Sequence, residues 1–164
     1  NIYYEIITDL NHLCPDMIRL IFRIQPYSKF CLISDSNYIS GLPAGTYLRY
    51  GRENYADEKG LILNSDGRIC GSGSWVLRNI RQLVQVVGIP VEQAFYMASL
   101  YPARYLGIDQ ETGSLRNGKR ADMIFVDEDF ICQRTFVGGK QVFDRKEDMT
   151  EKILNAEAMK LKVK

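Results

Sequence analysis

The residues that could do chemistry begin with two aspartates and a histidine. Asp9 and Asp35 each lie just past a short apolar run, and His12, the single histidine of the chain, follows Asp9 by three residues. A carboxylate and an imidazole together can hydrogen-bond a polar substrate or position a base. Either aspartate could instead cap a helix or close a turn, and a lone histidine is more often structural than catalytic. These residue types therefore leave binding, catalytic and structural roles open.

A second candidate segment is rich in glycine and serine. Residues 69–74 have the sequence Ile-Cys-Gly-Ser-Gly-Ser and stand directly before a predicted helix. Backbone amides of such residues at a helix N-terminus suit an oxyanion, a phosphate or a carboxylate. The alternative is a flexible turn with Ser74 as the N-cap. The charged run at 118–122, Gly-Lys-Arg-Ala-Asp, lies between a turn and a strand, which favours a structural loop.

Hydrophobic patterning predicts the elements that position the two aspartates. Apolar runs at 4–9 and 29–36 indicate strands, and the spacing of apolar residues over 16–24 indicates a helix between them. Strand, helix and strand at this spacing form a βαβ unit, and continuous apolar runs imply strands that are buried on both faces. Asp9 and Asp35 stand at the carboxyl ends of these strands, where α/β folds present ligand-binding and catalytic groups.

The remaining patterns predict a glycine-rich excursion, helices and a β-meander. Glycines recur through 41–73, which indicates short strands or an excursion loop. The later elements are helices over 75–87 and from Pro90 to before Pro102, a helical turn at 103–107, and strands at 121–127, 131–137 and 140–144. Charged residues at 146–164 favour a surface helix or a frayed end. Two core strands are too few for a closed barrel, so we expect the back part of a larger fold.

Composition excludes several classes of protein. The chain has 164 residues, of which 46% are hydrophobic and 25% charged, as in ordinary globular proteins. A net charge of +1 gives no electrostatic footprint for nucleic acid or for a membrane surface. No apolar stretch reaches the ~18 residues of a transmembrane helix. The cysteines, Cys14, Cys31, Cys70 and Cys132, form no CxxC pair, which predicts buried free thiols in a reducing cytosol and hence a cytoplasmic protein.

Several of these segments, in this order, resemble the C-terminal half of the N-acetylglucosamine-6-phosphate deacetylase family, within the amidohydrolase superfamily. The resemblance runs from about Tyr4 to Asp144. Residues 98–107 and 112–122 match the superfamily, which shares a helix followed by a Gly-Lys-x-Ala-Asp turn. The deacetylase family itself is indicated by the segments 9–12, 34–36 with 41–45, and 67–72.

The resemblance implies an α/β fold made of the C-terminal portion of a (β/α)8 TIM-type barrel plus strands of a small β-sandwich domain. Residues 1–118 would belong to the barrel of a metal-dependent hydrolase, with the excursion at 41–73. Residues 119–145 would belong to the sandwich, before the tail at 146–164. Members of this family are commonly dimeric. The implied partners are therefore the missing N-terminal half or a second copy in a homodimer, with no nucleic acid and no membrane.

The resemblance also implies a reaction in amino-sugar catabolism, in which N-acetylglucosamine 6-phosphate is hydrolysed to glucosamine 6-phosphate and acetate. Asp35 would take the proton from the attacking water and return it to the leaving amine. His12 would bind the sugar or the carbonyl oxygen. The other implied substrate-binding residues are Asp9, Leu10 and Asn11 beside His12, and Ile69, Cys70 and Gly71 through backbone contacts.

A divalent metal, zinc or iron, is implied for the complete enzyme. It would polarise the amide carbonyl and lower the pKa of the attacking water. Its ligands in the family, a Glu and two His, would lie upstream of Asn1, and one histidine cannot supply them. We therefore expect this chain alone to bind no catalytic metal and to be inactive.

The sequence departs from the family pattern at Leu10, where Asp-Gly-x-His is usual. A leucine adds bulk near the sugar and is expected to forbid the positive φ that glycine permits. One alternative is another amidohydrolase, of the dihydroorotase or adenine-deaminase type, although His12 three residues after Asp9 argues against it. The other is a non-catalytic remnant that acts as an association module, for which Leu10 and the missing half are the evidence.

Overall fold

The protein is described by a computed structural model that places residues 2–146. These residues form two units, the first made of residues 2–33 with 76–146 and the second of residues 34–75. The surface helix or frayed end expected at 146–164 lies, beyond its first residue, outside the described residues. None of the helices within residues 2–146 combines the length and the apolar composition of a membrane-spanning segment.

The first unit begins with the predicted βαβ motif. β1 (Tyr4–Ile7) and β2 (Phe30–Ile33) pair in parallel, connected by α1 (Pro15–Ile24) and a single 3-10 turn (Tyr27–Lys29). The three residues Phe30, Cys31 and Leu32 of β2 are buried, as expected. The expectation of burial on both faces is wrong for β1, whose first two residues are exposed. The reason is that, among residues 2–146, only β2 pairs with this strand.

Three helices follow, and they confirm the helices predicted over 75–87 and after Pro90. They are α2 (Val76–Gln82), which continues as a π-helical segment (Leu83–Val87), α3 (Val91–Ala98) and α4 (Leu100–Leu106). The boundary between the last two differs from the prediction. Pro102 was expected to stop a helix, but it lies in the first turn of α4. A proline there breaks no helical hydrogen bond, because the N–H groups of the first turn have no partner within the helix.

Arg19 of α1 binds the end of the π-helical segment. Its Nε donates to the carbonyl oxygen of Val87 at 3.1 Å, and its Nη2 donates to that of Val86 at 2.6 Å. The last carbonyls of a helix have no donors within the helix and carry the negative end of its dipole. The guanidinium therefore satisfies both the hydrogen bonds and the charge at this helix end, which Gly88 terminates with a left-handed φ of 87°.

The core of the first unit lies between the two strands and the helices. Ile18 of α1, Leu83 of the π-helical segment and Met97 of α3 are fully buried. They form one apolar cluster with Ile6 of β1 and Leu32 of β2. This packing holds the two parallel strands against three helical segments and so sets the position of the strand ends.

The first unit ends in the predicted β-meander. β7 (Met123–Val126), β8 (Cys132–Val137) and β9 (Lys140–Asp144) pair antiparallel in chain order. The loop at 118–122 is structural, as predicted, because Oδ1 of Asp122 accepts the N–H of Gly138 at 2.8 Å and its Oδ2 binds Arg120. The hydrogen bond from Gly138, followed by that from Arg120, lowers the pKa of the Asp122 carboxyl below its ordinary value.

The second unit is an antiparallel sheet. Of the two alternatives predicted for residues 41–73, short strands or an excursion loop, the structure shows the strands. Its strands, adjacent in chain order, are β3 (Gly45–Arg49), β4 (Arg52–Ala56), β5 (Leu61–Asn64) and β6 (Ile69–Ser72). Tyr47 and Ile62 are fully buried in a small core with Ile39 and Ala56. The second unit therefore has an apolar core of its own.

The four cysteines are free thiols, but only one of them is buried as expected. Cys31 lies inside β2, where burial and then the negative charge of Glu5 raise the pKa of its thiol. Cys14 and Cys70 are exposed, and Cys132 is half-buried. Cys14 precedes the first turn of α1, and Cys70 lies in β6 at one edge of its sheet. Their places before a helix and in an edge strand account for the exposure of these two side chains.

Candidate active site

The loop after β1 is organised by the carboxylate of Asp9. Its Oδ1 accepts the backbone N–H groups of Asn11 and His12, each at 3.0 Å, and its Oδ2 lies 2.9 Å from Nδ1 of His12. The Asp9 side chain has no solvent exposure, whereas that of His12 is 20% exposed. A hydrogen bond from an aspartate to the N–H two residues later is the geometry of an Asx turn. The carboxylate and the imidazole singled out from the sequence are thus in direct contact.

Leu10 occupies the left-handed region of this loop, with a φ of 62°. The expectation that a leucine forbids positive φ is therefore wrong. A residue with a Cβ loses about 1–2 kcal/mol in this conformation. Packing of the Leu10 side chain against the core of the first unit, together with the turn closed by Asp9, offsets that strain.

Two polar residues of α2, which sequence reasoning missed, hold the ends of both core strands. Asn79 is fully buried, its Nδ2 donates to the carbonyl oxygen of Ile33 at 3.3 Å, and its own carbonyl accepts the hydroxyl of Thr8 at 3.4 Å. Nε2 of Gln82 donates to the carbonyl oxygen of Asp9 at 3.3 Å. The available sequence signal was a polar residue, Asn79, on the otherwise apolar side of an amphipathic helix.

One buried polar atom of this loop and one of α2 have no hydrogen-bond partner among the described residues. Nδ2 of Asn11 and Oε1 of Gln82 are both buried, and neither has a hydrogen-bond partner among the described residues. Buried polar atoms in proteins are nearly always hydrogen-bonded. The Asn11 donor and the Gln82 acceptor are therefore suited to a polar ligand.

In the second unit, Asp35 presents an exposed carboxylate two residues after the end of β2. No hydrogen bond or ion pair to this carboxylate is present within residues 2–146. Its backbone has a φ of 54°, a value that aspartate adopts more often than most residues. Its carbonyl oxygen accepts the N–H of Ser72 at 2.9 Å. The backbone is thus held in place while the carboxylate stays available to react.

The predicted segment 69–71 lies against Asp35. A Cβ on Gly71 would lie 3.0 Å from the carbonyl oxygen of Asp35 and 3.1 Å from Nδ2 of Asn37, and its φ is 139°. Both observations require glycine at this position. Ile69, which begins β6, is half-exposed. The two sequence motifs of the second unit therefore meet through their backbones.

Cys70 and two residues missed in the sequence complete this contact. The Asn37 Nδ2 donates to the carbonyl oxygen of Cys70 at 3.1 Å, and the Ser40 hydroxyl donates to that of Ser72 at 2.6 Å. The Cys70 thiol donates to Oδ1 of Asn54 at 3.1 Å. Although Cys70 is exposed, partial desolvation of its thiol and then the negative charge of Asp35 raise the pKa of this thiol, which favours its protonated form. Asn and Ser three residues apart just after a strand were the sequence signal for Asn37 and Ser40.

The residues predicted from the sequence therefore form two groups. Asp9, Leu10, Asn11 and His12 share one loop of the first unit, and Asp35 meets residues 69–71 in the second. Chemically, one group offers hydrogen-bond donors and an imidazole, and the other offers a carboxylate that can accept a proton. Residues 2–146 contain no group of three His, Cys, Asp or Glu side chains that could hold a metal ion, so they do not fit a divalent metal by themselves.

Comparisons with known proteins agree on one family. The sequence profile described as "Amidohydrolase family" matches residues 27–142. An N-acetylglucosamine-6-phosphate deacetylase of Vibrio furnissii is 36% identical over 142 residues, which are 87% of this chain and 35% of the relative. A relative from Escherichia coli (strain K12), provisionally named an N-acetylgalactosamine-6-phosphate deacetylase, is 32% identical over 138 residues, 84% of this chain and 81% of that protein.

The fold has a counterpart among solved structures. The crystal structure of N-acetylglucosamine-6-phosphate deacetylase from Pasteurella multocida matches with a TM-score of 0.78 and 29% identity, covering 85% of this chain and 36% of that chain. This chain thus spans about a third of the length of the Vibrio and Pasteurella proteins.

Proposed function

The chain belongs to the amidohydrolase family, and from this premise we propose that it forms the part of an amino-sugar-phosphate deacetylase that supplies the general base. The reaction is hydrolysis of the acetamide of N-acetylglucosamine 6-phosphate to glucosamine 6-phosphate and acetate. The observation that carries the proposal is the exposed Asp35 carboxylate without a hydrogen-bonding partner in residues 2–146, in a chain 36% identical to such a deacetylase.

Asp35 moves one proton twice in the proposed reaction. Its carboxylate accepts a proton from the attacking water as the oxygen of that water bonds to the acetamide carbon. The resulting carboxylic acid then donates this proton to the sugar nitrogen as the carbon–nitrogen bond breaks. The second proton of the water leaves with acetic acid, which ionises to acetate in solution. General acid–base catalysis of this kind contributes ~10²- to 10⁴-fold. The fixed backbone of Asp35, held by Ser72 and by the close approach of Gly71, supports this role because it keeps the carboxylate in one place.

The loop of the first unit is proposed to bind the sugar. Asn11 supports this role with a buried Nδ2 donor that has no partner in the described residues, and His12 supports it with a partly exposed imidazole. Residues 69–71 are proposed to add backbone contacts, since Gly71 leaves the backbone of β6 without a side chain beside Asp35. The polar substrate would thus be held by amide and imidazole groups.

We propose further that the described residues are part of a (β/α)8 barrel, over 1–118, with sandwich strands at 119–145. The parallel pair β1–β2 and the β-meander β7–β9 support this assignment. β1 also borders an apolar groove of about 700 Å³, lined among others by Ile7, Ile21, Ile24 and Phe30. Exposed edge strands and apolar grooves of this size are usually covered in soluble proteins. The rest of the barrel, or a second copy in a homodimer, would cover this one.

The metal of the proposed enzyme is assigned to residues outside this chain. Amidohydrolases are generally metal-dependent, but residues 2–146 hold no cluster of metal-binding side chains. The complete enzyme would therefore take zinc or iron from ligands elsewhere in its barrel. A cytoplasmic location agrees with four free thiols.

A chimera tests the proposed function directly. Residues 2–144 would replace the matching C-terminal segment of the Vibrio furnissii deacetylase, and acetate release would be measured with N-acetylglucosamine 6-phosphate. N-acetylgalactosamine 6-phosphate would be assayed in parallel, because the Escherichia coli relative carries that name. We expect the chimera to be active and its Asp35→Asn version to lose at least ~10²-fold in kcat while retaining its metal.

The other possible results of the chimera experiment would each contradict one part of the proposal. A folded, metal-loaded chimera that releases no acetate would refute the deacetylase assignment and favour a non-catalytic association module. Hydrolysis of a dihydropyrimidine or deamination of adenine by the same chimera would favour another amidohydrolase. Full activity of the Asp35→Asn chimera would show that Asp35 is not the base.

A further inference from the structure

The contact between Asp9 and His12 determines which nitrogen of the imidazole carries a proton. Oδ1 of Asp9 accepts two backbone N–H groups, and Oδ2 lies 2.9 Å from Nδ1 of His12. An ionised carboxylate only accepts hydrogen bonds, so Nδ1 must be the donor. In a neutral imidazole one nitrogen donates and the other accepts. A proton on Nδ1 therefore leaves the lone pair on Nε2.

We propose that Asp9 is a positioning residue, which holds the neutral His12 in its Nδ1–H tautomer and makes Nε2 the atom that contacts the ligand. Asp9 itself touches no substrate, because its side chain has no solvent exposure. The identity of the ligand, an amino-sugar phosphate, rests on the proposed function. The tautomer does not.

The geometry separates this role from simple closure of the loop. The two backbone N–H groups of Asn11 and His12 both bind Oδ1, and these two hydrogen bonds alone close the turn. Oδ2 is not needed for the turn. Its contact with Nδ1 instead sets the rotation of the ring, since a half-turn of the imidazole would place a carbon-bound hydrogen against Oδ2 and lose the hydrogen bond.

The tautomer decides which group of a sugar phosphate His12 can bind. A neutral imidazole with its lone pair on Nε2 accepts a hydrogen bond from a sugar hydroxyl. A protonated imidazole donates from both nitrogens, so Nε2 would then bind a carbonyl or phosphate oxygen. Asp9 stays the acceptor for Nδ1–H in both states. The ring of His12 therefore keeps one orientation, and only the kind of group that binds Nε2 differs between the two states.

The single histidine of the chain makes the test unambiguous. Long-range ¹H–¹⁵N correlation spectra of the ¹⁵N-labelled chain would be recorded at about pH 9, above the ordinary pKa of an imidazole. We expect the shift of a protonated nitrogen at Nδ1 and that of an unprotonated nitrogen at Nε2. The opposite assignment in the unmodified chain would overturn the proposal without any variant.

Asp9→Asn provides the informative variant. Its side-chain oxygen can still accept the two backbone N–H groups, but its NH₂ group would donate to Nδ1 and so favour the Nε2–H tautomer. The two nitrogen shifts should then exchange. Asp16→Asn is the matched control, because it removes the same charge from an exposed aspartate that binds Arg19, and it should leave the tautomer unchanged.

A folded Asp9→Asn chain that keeps the Nδ1–H tautomer would refute the role of Asp9. If the backbone amide spectrum shows that this variant is unfolded, Asp9→Ser replaces it, since a serine hydroxyl can still accept at the turn but cannot also reach the ring. Loss of the tautomer preference is expected there, and its retention would overturn the proposal. An inactive chimera would leave these spectra unchanged, so failure of the proposed function is distinguishable from failure of this inference.

Discussion

Replacing Gly71 by alanine should destabilise the second unit by about 2–4 kcal/mol. A new Cβ would lie 3.0 Å from the carbonyl oxygen of Asp35 and 3.1 Å from Nδ2 of Asn37. The Asp35 oxygen is fixed as the acceptor for Ser72 N–H, so it cannot move away without losing that hydrogen bond. The substitution therefore acts on the backbone that positions the proposed base.

Two terms make up that magnitude. A side chain at a φ of 139° occupies a region used almost only by glycine, at a cost of about 1–3 kcal/mol. Displacing β6 weakens the hydrogen bond between Ser72 and Asp35, worth about 0.5–1.5 kcal/mol. Gly67→Ala is the matched control in the hairpin between β5 and β6. Its φ is 73°, but nothing lies within 4 Å of the added Cβ, so only the backbone term of about 1–2 kcal/mol applies.

Urea unfolding followed by tryptophan fluorescence measures the difference. Trp75 is the single tryptophan, it belongs to the second unit, and its ring lies against Gly41. A difference of ~1 kcal/mol between the two variants corresponds to about 0.3–1 M in the urea midpoint. Equal midpoints for Gly71→Ala and Gly67→Ala would refute the argument that the close approach to Asp35 requires glycine.

Three further outcomes are expected. Leu10→Gly should be more stable than Leu10→Ala by about 0.5–1 kcal/mol in thermal unfolding. Both variants remove the packing of the leucine side chain, but only glycine relieves the strain of the positive φ. The reverse order of stability would contradict the argument that Leu10 is strained. The hydrogen bond from Gly138 lowers the pKa of Asp122, so this group stabilises the fold above its ordinary unfolded pKa of about 3.9 and the effect disappears as pH falls through the lower folded value. In urea unfolding at several pH values, the stability of Asp122→Asn should therefore fall less steeply below about pH 4 than that of the unmodified chain, and equal slopes would contradict the linkage. Partial desolvation and then the charge of Asp35 raise the pKa of the Cys70 thiol, so the alkylation rate of Cys70 should rise at lower pH in Asp35→Asn than in the unmodified chain. An unchanged pH profile of alkylation would show that the Asp35 charge does not act on this thiol.

Hydrophobic spacing predicted the elements well because their burial is local in origin. The helix of α1 and the strands of the meander carry their pattern in consecutive residues, and all were found within a few residues of the expected ends. The prediction that β1 is buried on both faces was wrong, because such burial depends on a second neighbouring strand, which no local sequence pattern reports. Pro102 was misread because a proline is compatible with the first turn of a helix as well as with its end.

The candidate site was predictable in residue type but not in arrangement. Asp9 and His12 were paired from their spacing, and the structure places them in contact. The positive φ of Leu10 and Asp35 could not be predicted, because it results from packing and hydrogen bonds that bring distant segments together. Asn79 was overlooked for the same reason, since its partner at Ile33 lies 46 residues away in sequence.

The guanidinium of Arg19 joins two segments that would otherwise open independently. It connects α1 to the carbonyl oxygens of Val86 and Val87. Fraying of the helix end at Val87 must therefore also break its hydrogen bonds to α1, the helix that connects β1 to β2. In native-state hydrogen exchange, amides of α1 and of the helix end are therefore expected to share one opening free energy and form a single cooperative foldon. Local fluctuations of this helix end would then be suppressed by an interaction that involves none of the candidate site residues.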